Sequence, residues 1–103
     1  MKKINSTEFS KEVLEQPGVV LVDFYTEWCG YCQLLIPEFE QVEKELPNLK
    51  IVKVDAEENP YLASQYEVTF YPLMLIFKNG QLVDHIDGYV KKDMIISKVE
   101  VYM

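Results

Sequence analysis

The sequence predicts an α/β protein, a mixed central β-sheet flanked by helices on both faces. Three observations carry that expectation. Short β-like and helix-like segments alternate from end to end, the pattern of a sheet covered by helices. Val19 to Tyr25 is an apolar run interrupted only by Asp23, which suits a central strand buried on both faces. Asn79-Gly80 lies between two further apolar runs, and that dipeptide is the strongest short signal for an antiparallel hairpin.

The elements follow in order. Lys2 to Ile4 is a short first strand. Asn5, with Glu8 three residues on, has the pattern of a capping box. It opens a helix to about Glu15, which Pro17-Gly18 stops. Val19 to Tyr25 is the second strand. The next helix runs from about Cys29 to about Leu46, with Leu34, Leu35, Phe39, Val42 and Leu46 on its apolar side. Pro37 lies well inside it and predicts a kink, not an end. Lys50 to Val54 is a third strand. Asn59 as cap and Pro60 at the first helical position open a short helix to about Tyr66. Leu73 to Phe77 and Gln81 to Ile86 form the hairpin, and an amphipathic helix from about Lys91 to Val101 closes the chain. The order is β-α-β-α-β-α-β-β-α. Its first half needs right-handed parallel crossovers, and its second half ends antiparallel. Phe24, Tyr25, Phe39, Phe70 and Phe77 are expected in the core or at its edge.

With 103 residues, 49% of them hydrophobic and 26% charged, the chain has room for one domain, residues 1–103, with one core and no need of a staple. The net charge of −7 argues against nucleic acid, which demands clustered Lys and Arg, and against an anionic lipid surface. No apolar run approaches the ~20 residues of a membrane span. The lysines at the N-terminus precede no apolar stretch, so no secretory signal is expected and the cytoplasm is the expected location. Two cysteines cannot build a secreted disulfide scaffold. In a reducing compartment such a pair is catalytic or metal-binding.

Trp28-Cys29-Gly30-Tyr31-Cys32 stands where the buried strand meets a helix. The i, i+3 spacing sets both sulfurs on one helix face, close enough to bond across a turn. Cys29 falls at the helix N-terminus, among unpaired N–H groups and the positive end of the dipole, which favour the thiolate nucleophile. Cys32, one turn in, is expected to be more buried and protonated. Cys29 would attack a target disulfide, and Cys32 would then attack Cys29 to release the reduced target. The other readings are two incidental thiols, or half of a zinc site lacking its further ligands. His85, alone in a strand, is more simply a surface histidine than a ligand. Asp23 is either a buried carboxylate with a raised pKa, suited to taking the Cys32 proton, or a solvated residue at a strand end. Tyr31, at the tip of the turn, is either a peptide contact or passively exposed.

Val22-Asp23-Phe24-Tyr25, Trp28-Cys29-Gly30-Tyr31-Cys32 and Pro37 resemble the signature of the thioredoxin family. The likeness continues through Val54-Asp55, Asn59-Pro60, Tyr66-Glu67-Val68, Tyr71-Pro72 and Phe77-Lys78-Asn79-Gly80 to Gly88. It implies the thioredoxin fold and reduction of protein disulfides. A monomer is expected separately, because no obvious apolar patch remains once both helical layers are assigned. No cofactor or metal is implied beyond the redox-active Cys29–Cys32 pair, and recycling falls to an NADPH- or ferredoxin-linked thioredoxin reductase. Cys29 would be the attacking thiol, Cys32 the resolving one and Asp23 the buried proton acceptor, with Lys53 its neighbour across the sheet. Pro72, which base rates alone would make trans, would be a cis-proline facing the sulfurs. Trp28, Gly30, Tyr31, Tyr71 and Gly88 would border the substrate groove.

The chain departs from the usual family pattern at four positions. Tyr31 replaces proline, Gln33 lysine, Tyr25 tryptophan, and Leu73 the threonine after the cis-proline. A Cys-Gly-Tyr-Cys centre looks more like some bacterial disulfide isomerases, without their two-domain build. Residues between the cysteines move the redox potential, and Gln33 and Glu27 weaken thiolate stabilisation. Tyr31 between the cysteines is expected to make the pair somewhat more oxidising, so the alternatives to a reductase are a more oxidising isomerase or oxidase, or a non-catalytic binding subunit.

Overall fold

The computed structural model describes residues 1–103. Its elements are β1 (Lys2–Lys3), α1 (Ser6–Phe9) running on into a π-helical turn (Ser10–Leu14), β2 (Val19–Tyr25), α2 (Gly30–Glu45), β3 (Lys50–Asp55), α3 (Pro60–Gln65), β4 (Leu73–Lys78), β5 (Gln81–Asp87) and α4 (Lys92–Glu100). The five strands form one sheet in the order β1-β3-β2-β4-β5. β3 is parallel to β1 and β2, β4 is antiparallel to β2, and β5 is antiparallel to β4. This is the mixed sheet read from the sequence, with parallel crossovers first and a hairpin last.

Strand alternation divides the core in two. Val20, Val22 and Phe24 face one layer with Phe9, Val13, Leu62 and Ala63 of α1, the π turn and α3. Leu21 faces the other with Leu35, Phe39 and Val42 of α2 and Ile95 and Val99 of α4. Residues of odd number on β2 therefore point toward α2, and Asp23 is one of them.

Several local expectations are met in detail. Asn5 Oδ1 accepts the Glu8 N–H at 3.1 Å while Glu8 Oε1 accepts the Asn5 N–H at 3.0 Å. Asn79 and Gly80 turn the hairpin with φ of 50° and 79°, as a two-residue turn with both φ positive requires. α2 continues through Pro37.

Others are corrected. The first helix does not stay α to Glu15. Its last turn widens, with the Glu15 N–H bonding Ser10 O at 2.9 Å. Side chains take carbonyls along the widened turn: Gln16 Nε2 donates to Lys11 O at 3.0 Å and Lys50 Nζ to Glu12 O at 2.8 Å. Asn59 precedes α3 but does not cap it. Its buried amide instead accepts the Ser6 N–H and Oγ–H, both at 2.9 Å, and donates to Asp55 O at 3.0 Å, tying the start of α1 to the β3–α3 loop. Leu34, placed on the apolar face of α2, is 54% exposed, because Leu35, Phe39 and Val42 already fill the side toward the sheet. Phe70 is also exposed, beside Leu82 of the edge strand β5, and not in the core.

Candidate active site

The site forms where β2 ends and α2 begins. Thr26 O accepts the Cys29 N–H at 3.3 Å, so the chain turns once after the strand before entering the helix. Cys29 is the N-cap of α2, and its Sγ accepts the Cys32 N–H at 3.2 Å. A side chain that accepts from the first helical turn shares the stabilisation that any negative charge gains there. No carboxylate stands in that first turn to compete. Cys29 and Cys32 are joined as a disulfide, with Cα atoms 5.2 Å apart, inside the ordinary span for such a bond.

The expected contrast in burial is absent: Cys29 is 7% exposed and Cys32 5%. Both are closed in by Tyr25 and Tyr71. What distinguishes the two sulfurs is their neighbours, a helix N-terminus for Cys29 and a cavity for Cys32.

That cavity has a volume of about 150 Å³, and Asp23, Cys32, Lys53, Glu27 and Gln33 are among its lining residues. Asp23 and Lys53 are paired in register on adjacent parallel strands. Asp23 is 3% exposed, and its Oδ1 accepts a hydrogen bond from no protein group. Burial raises its pKa from 3.8 to about 7, the Lys53 ammonium opposing the rise. Asp23 is thus the buried carboxylate of the two sequence alternatives. A polar cavity of this size admits water, which can bridge a carboxylate and a thiol that do not touch. Lys53 Nζ also lies 5.4 Å from the centroid of the Tyr25 ring, a cation–π distance.

The remaining predicted residues converge on the same face. The Tyr71–Pro72 bond is cis. Pro72 is buried, and its carbonyl accepts the Gly88 N–H at 2.9 Å, which draws the β5–α4 loop to the loop before β4. Gly88 has φ +77°, a left-handed conformation that glycine adopts without strain. Trp28, 69% exposed, meets Tyr71 edge-on with centroids 6.2 Å apart. Tyr31, 64% exposed, follows Gly30 in the first turn of α2 and lies 6.4 Å from Tyr89.

Sequence reasoning missed two neighbours. Tyr25 was read as packing and as a departure from the family's tryptophan, yet it clusters with both cysteines. The signal was available, since Tyr25 is two residues beyond Asp23 on a strand and shares its face. Tyr89 carried no signal, because its partner is 58 positions away in the sequence. His85 pairs with Asp87 at 2.7 Å on exposed β5. No three His, Cys, Asp or Glu side chains converge as metal ligands.

The family model for thioredoxin matches residues 1–101. The chain is 36% identical over 102 residues to a thioredoxin of Synechocystis sp., covering 98% of this chain and 95% of that one. It is 42% identical over 82 residues to a thioredoxin of Chlamydia trachomatis, covering 80% of each. A solved chain from a study of thiol resolution in yeast mitochondrial 1-Cys peroxiredoxin by the glutathione and thioredoxin systems superposes with a TM-score of 0.89. It is 29% identical, and the match covers 98% of this chain and 94% of that one.

Proposed function

The chain belongs to the thioredoxin family and is a thiol–disulfide oxidoreductase, and from that premise we propose how its residues divide the work. The observation that carries the proposal is the Cys29–Cys32 pair across the first turn of α2, with Cys29 at the helix N-cap and Cys32 opening on the Asp23 cavity.

In the reduced protein the Cys29 thiolate attacks one sulfur of a target disulfide. The target's S–S bond breaks, its second sulfur leaves as a thiolate, and a mixed disulfide joins Cys29 to the target. Asp23, as carboxylate, accepts the Cys32 proton through the cavity. The Cys32 thiolate then attacks Cys29 Sγ, restoring the intramolecular disulfide and releasing the target as a dithiol. Lys53 moderates the affinity of Asp23 for its proton. The target strand lies along the groove bordered by Trp28, Gly30, Tyr31, Tyr71, Pro72 and Gly88.

The residues 1–103 act as one domain and as a monomer, on disulfide-containing proteins. The protein works in the cytoplasm, as a step of electron transport, with a thioredoxin reductase returning the pair to the dithiol. The charge of −7 supports protein targets over nucleic acid or anionic lipid. No helix is long and apolar enough to cross a membrane.

Incubation of the reduced protein with a disulfide-bonded target tests the division of labour. Cys29→Ser abolishes exchange, whereas Cys32→Ser leaves one covalent adduct at Cys29, visible by intact mass. An adduct on Cys32 in the Cys29→Ser protein, formed as fast, would reverse the roles. A second reading, a more oxidising exchanger, is favoured by Tyr31 between the cysteines, and the redox potential of the pair decides it.

A further inference from the structure

Two aromatic pairs frame Cys29, and only one of them involves the cis-proline loop. Trp28 meets Tyr71 on that side. Tyr31 meets Tyr89, with a tilt of 31° between rings 6.4 Å apart, within the range of attractive aromatic pairs. Tyr31 comes from α2 and Tyr89 from the loop after β5, so the contact bridges the two segments that enclose the active face. Tyr89 is half-buried and anchored against the α2–α4 core, whereas Tyr31 is 64% exposed. Leu34, three residues after Tyr31 and on the same helical face, is 54% exposed and lines an open concavity with Gly30 and Tyr31. Such a patch costs solvation unless something covers it in use.

The chemistry of exchange says what covers it. A target cysteine bonded to Cys29 holds its neighbouring residues within a few ångströms of Gly30 and Tyr31, because adjacent Cα atoms are only ~3.8 Å apart. We propose that Tyr31 and Tyr89, with Leu34, form a specificity site that selects target disulfides carrying an aromatic or large aliphatic side chain beside the attacked cysteine. The proposal rests on the reading that Cys29 is the attacking thiol. Tyr89 is the half-buried wall and Tyr31 the exposed one. A target side chain packs against both rings and exchanges their water for aromatic contact. A small or charged neighbour gains none of this.

The test uses the full reduced chain and two synthetic peptides, each closed by one disulfide and identical except for Phe or Ser beside both cysteines. Stopped-flow Trp28 fluorescence gives the rate constant for each. An aromatic contact of this kind corresponds to a preference of about five- to tenfold for the Phe peptide. Tyr89→Ala reduces that ratio to about twofold or less, and Tyr89→Phe retains it. Tyr31→Ala, at an exposed position where loss of the ring leaves the core intact, gives the same reduction. The double variant falls no further than either single one, since the rings act as a unit. A ratio unchanged in both Tyr31→Ala and Tyr89→Ala overturns the proposal and leaves the pair a structural contact. Concentration-dependent dimerisation that both variants abolish also overturns it, assigning the patch to a second copy. If Cys29→Ser reduces the Phe peptide as fast as the parent does, the underlying assignment of Cys29 has failed, and the specificity site with it.

Discussion

At the residue scale the informative group is Asp23. Its pKa of about 7 means that the folded protein holds a proton that the unfolded chain releases near pH 4. Between those values the native state binds more protons than the unfolded one, so the stability contribution of Asp23 falls as pH rises, and levels off above about pH 7. Asp23→Asn removes the titration. The variant and the parent should have similar stability at pH 4 and diverge progressively toward pH 7. At pH 8 the variant is more stable by about 4 kcal/mol at most, read by urea denaturation across pH. Parallel curves for the two proteins would mean that Asp23 is solvated. The same substitution slows the Cys32 step, which needs a base, more than the initial Cys29 attack. Equal slowing of both phases in stopped-flow traces would remove Asp23 from proton transfer. Asp23 was legible in the sequence because a carboxylate inside a run of Val, Leu and Phe conflicts with its surroundings. Its pairing in register with Lys53 was carried only by family resemblance, since the strands they occupy lie 30 residues apart in the chain. Burial did not separate the two cysteines, because spacing within a turn says which way a side chain leans and nothing about what the next loop lays over it.

At the element scale the sequence was clearest where the signal is local. The Asn5–Glu8 box, Pro60 at the first turn of α3 and the Asn79-Gly80 hairpin each depend on residues a few positions apart, and each is present. Asn59 and the π turn were not legible, because tertiary partners decide both. Gly80 joins the two cases. It was read for its turn conformation, and it also lies against the π turn: a Cβ added there would come within 2.1 Å of Leu14 O, a backbone atom. The neighbouring Asn79 further ties the hairpin to the start of β2, its N–H donating to Gly18 O at 2.9 Å and its Oδ1 accepting the Gly18 N–H at 2.7 Å. Gly80→Ala therefore combines a positive φ of 79° with overpacking against main chain, about 3 kcal/mol together. For a domain of this size that lowers Tm by more than about 10 °C in thermal denaturation. Asn79→Ala keeps the main-chain bond to Gly18 and loses only the side-chain one, so it should cost less. The reverse order would mean that the turn, not the contact with Leu14, sets the demand for glycine.

At the scale of the whole molecule, the redox state of one helical turn is linked to the stability of everything packed around it. The Cys29–Cys32 disulfide can form in the folded and in the unfolded chain. The difference in unfolding free energy between oxidised and reduced protein therefore equals the difference in disulfide stability between those two states. A fold that favours the disulfide is more stable oxidised and drives electrons outward, as a reductase must. A fold that favours the dithiol is more stable reduced and acts as an oxidant. The environment of the pair contains pulls in both directions. The α2 N-terminus favours the Cys29 thiolate, and with it the reduced form. The desolvated Asp23 carboxylate and the acidic whole, at net charge −7, disfavour a further negative charge beside the cavity. With Gln33 adding no cation to the first turns of α2, the second influence prevails, and the oxidised protein should unfold at the higher temperature. Each 30 mV in the potential of the pair corresponds to about 1.4 kcal/mol, or roughly 5–10 °C in Tm for a chain of about 100 residues. Paired thermal scans with and without dithiothreitol therefore read the direction of the reaction from stability alone. A higher Tm for the reduced form would assign the protein to the oxidising side and make Tyr31, the chief departure between the cysteines, the first residue to replace with proline.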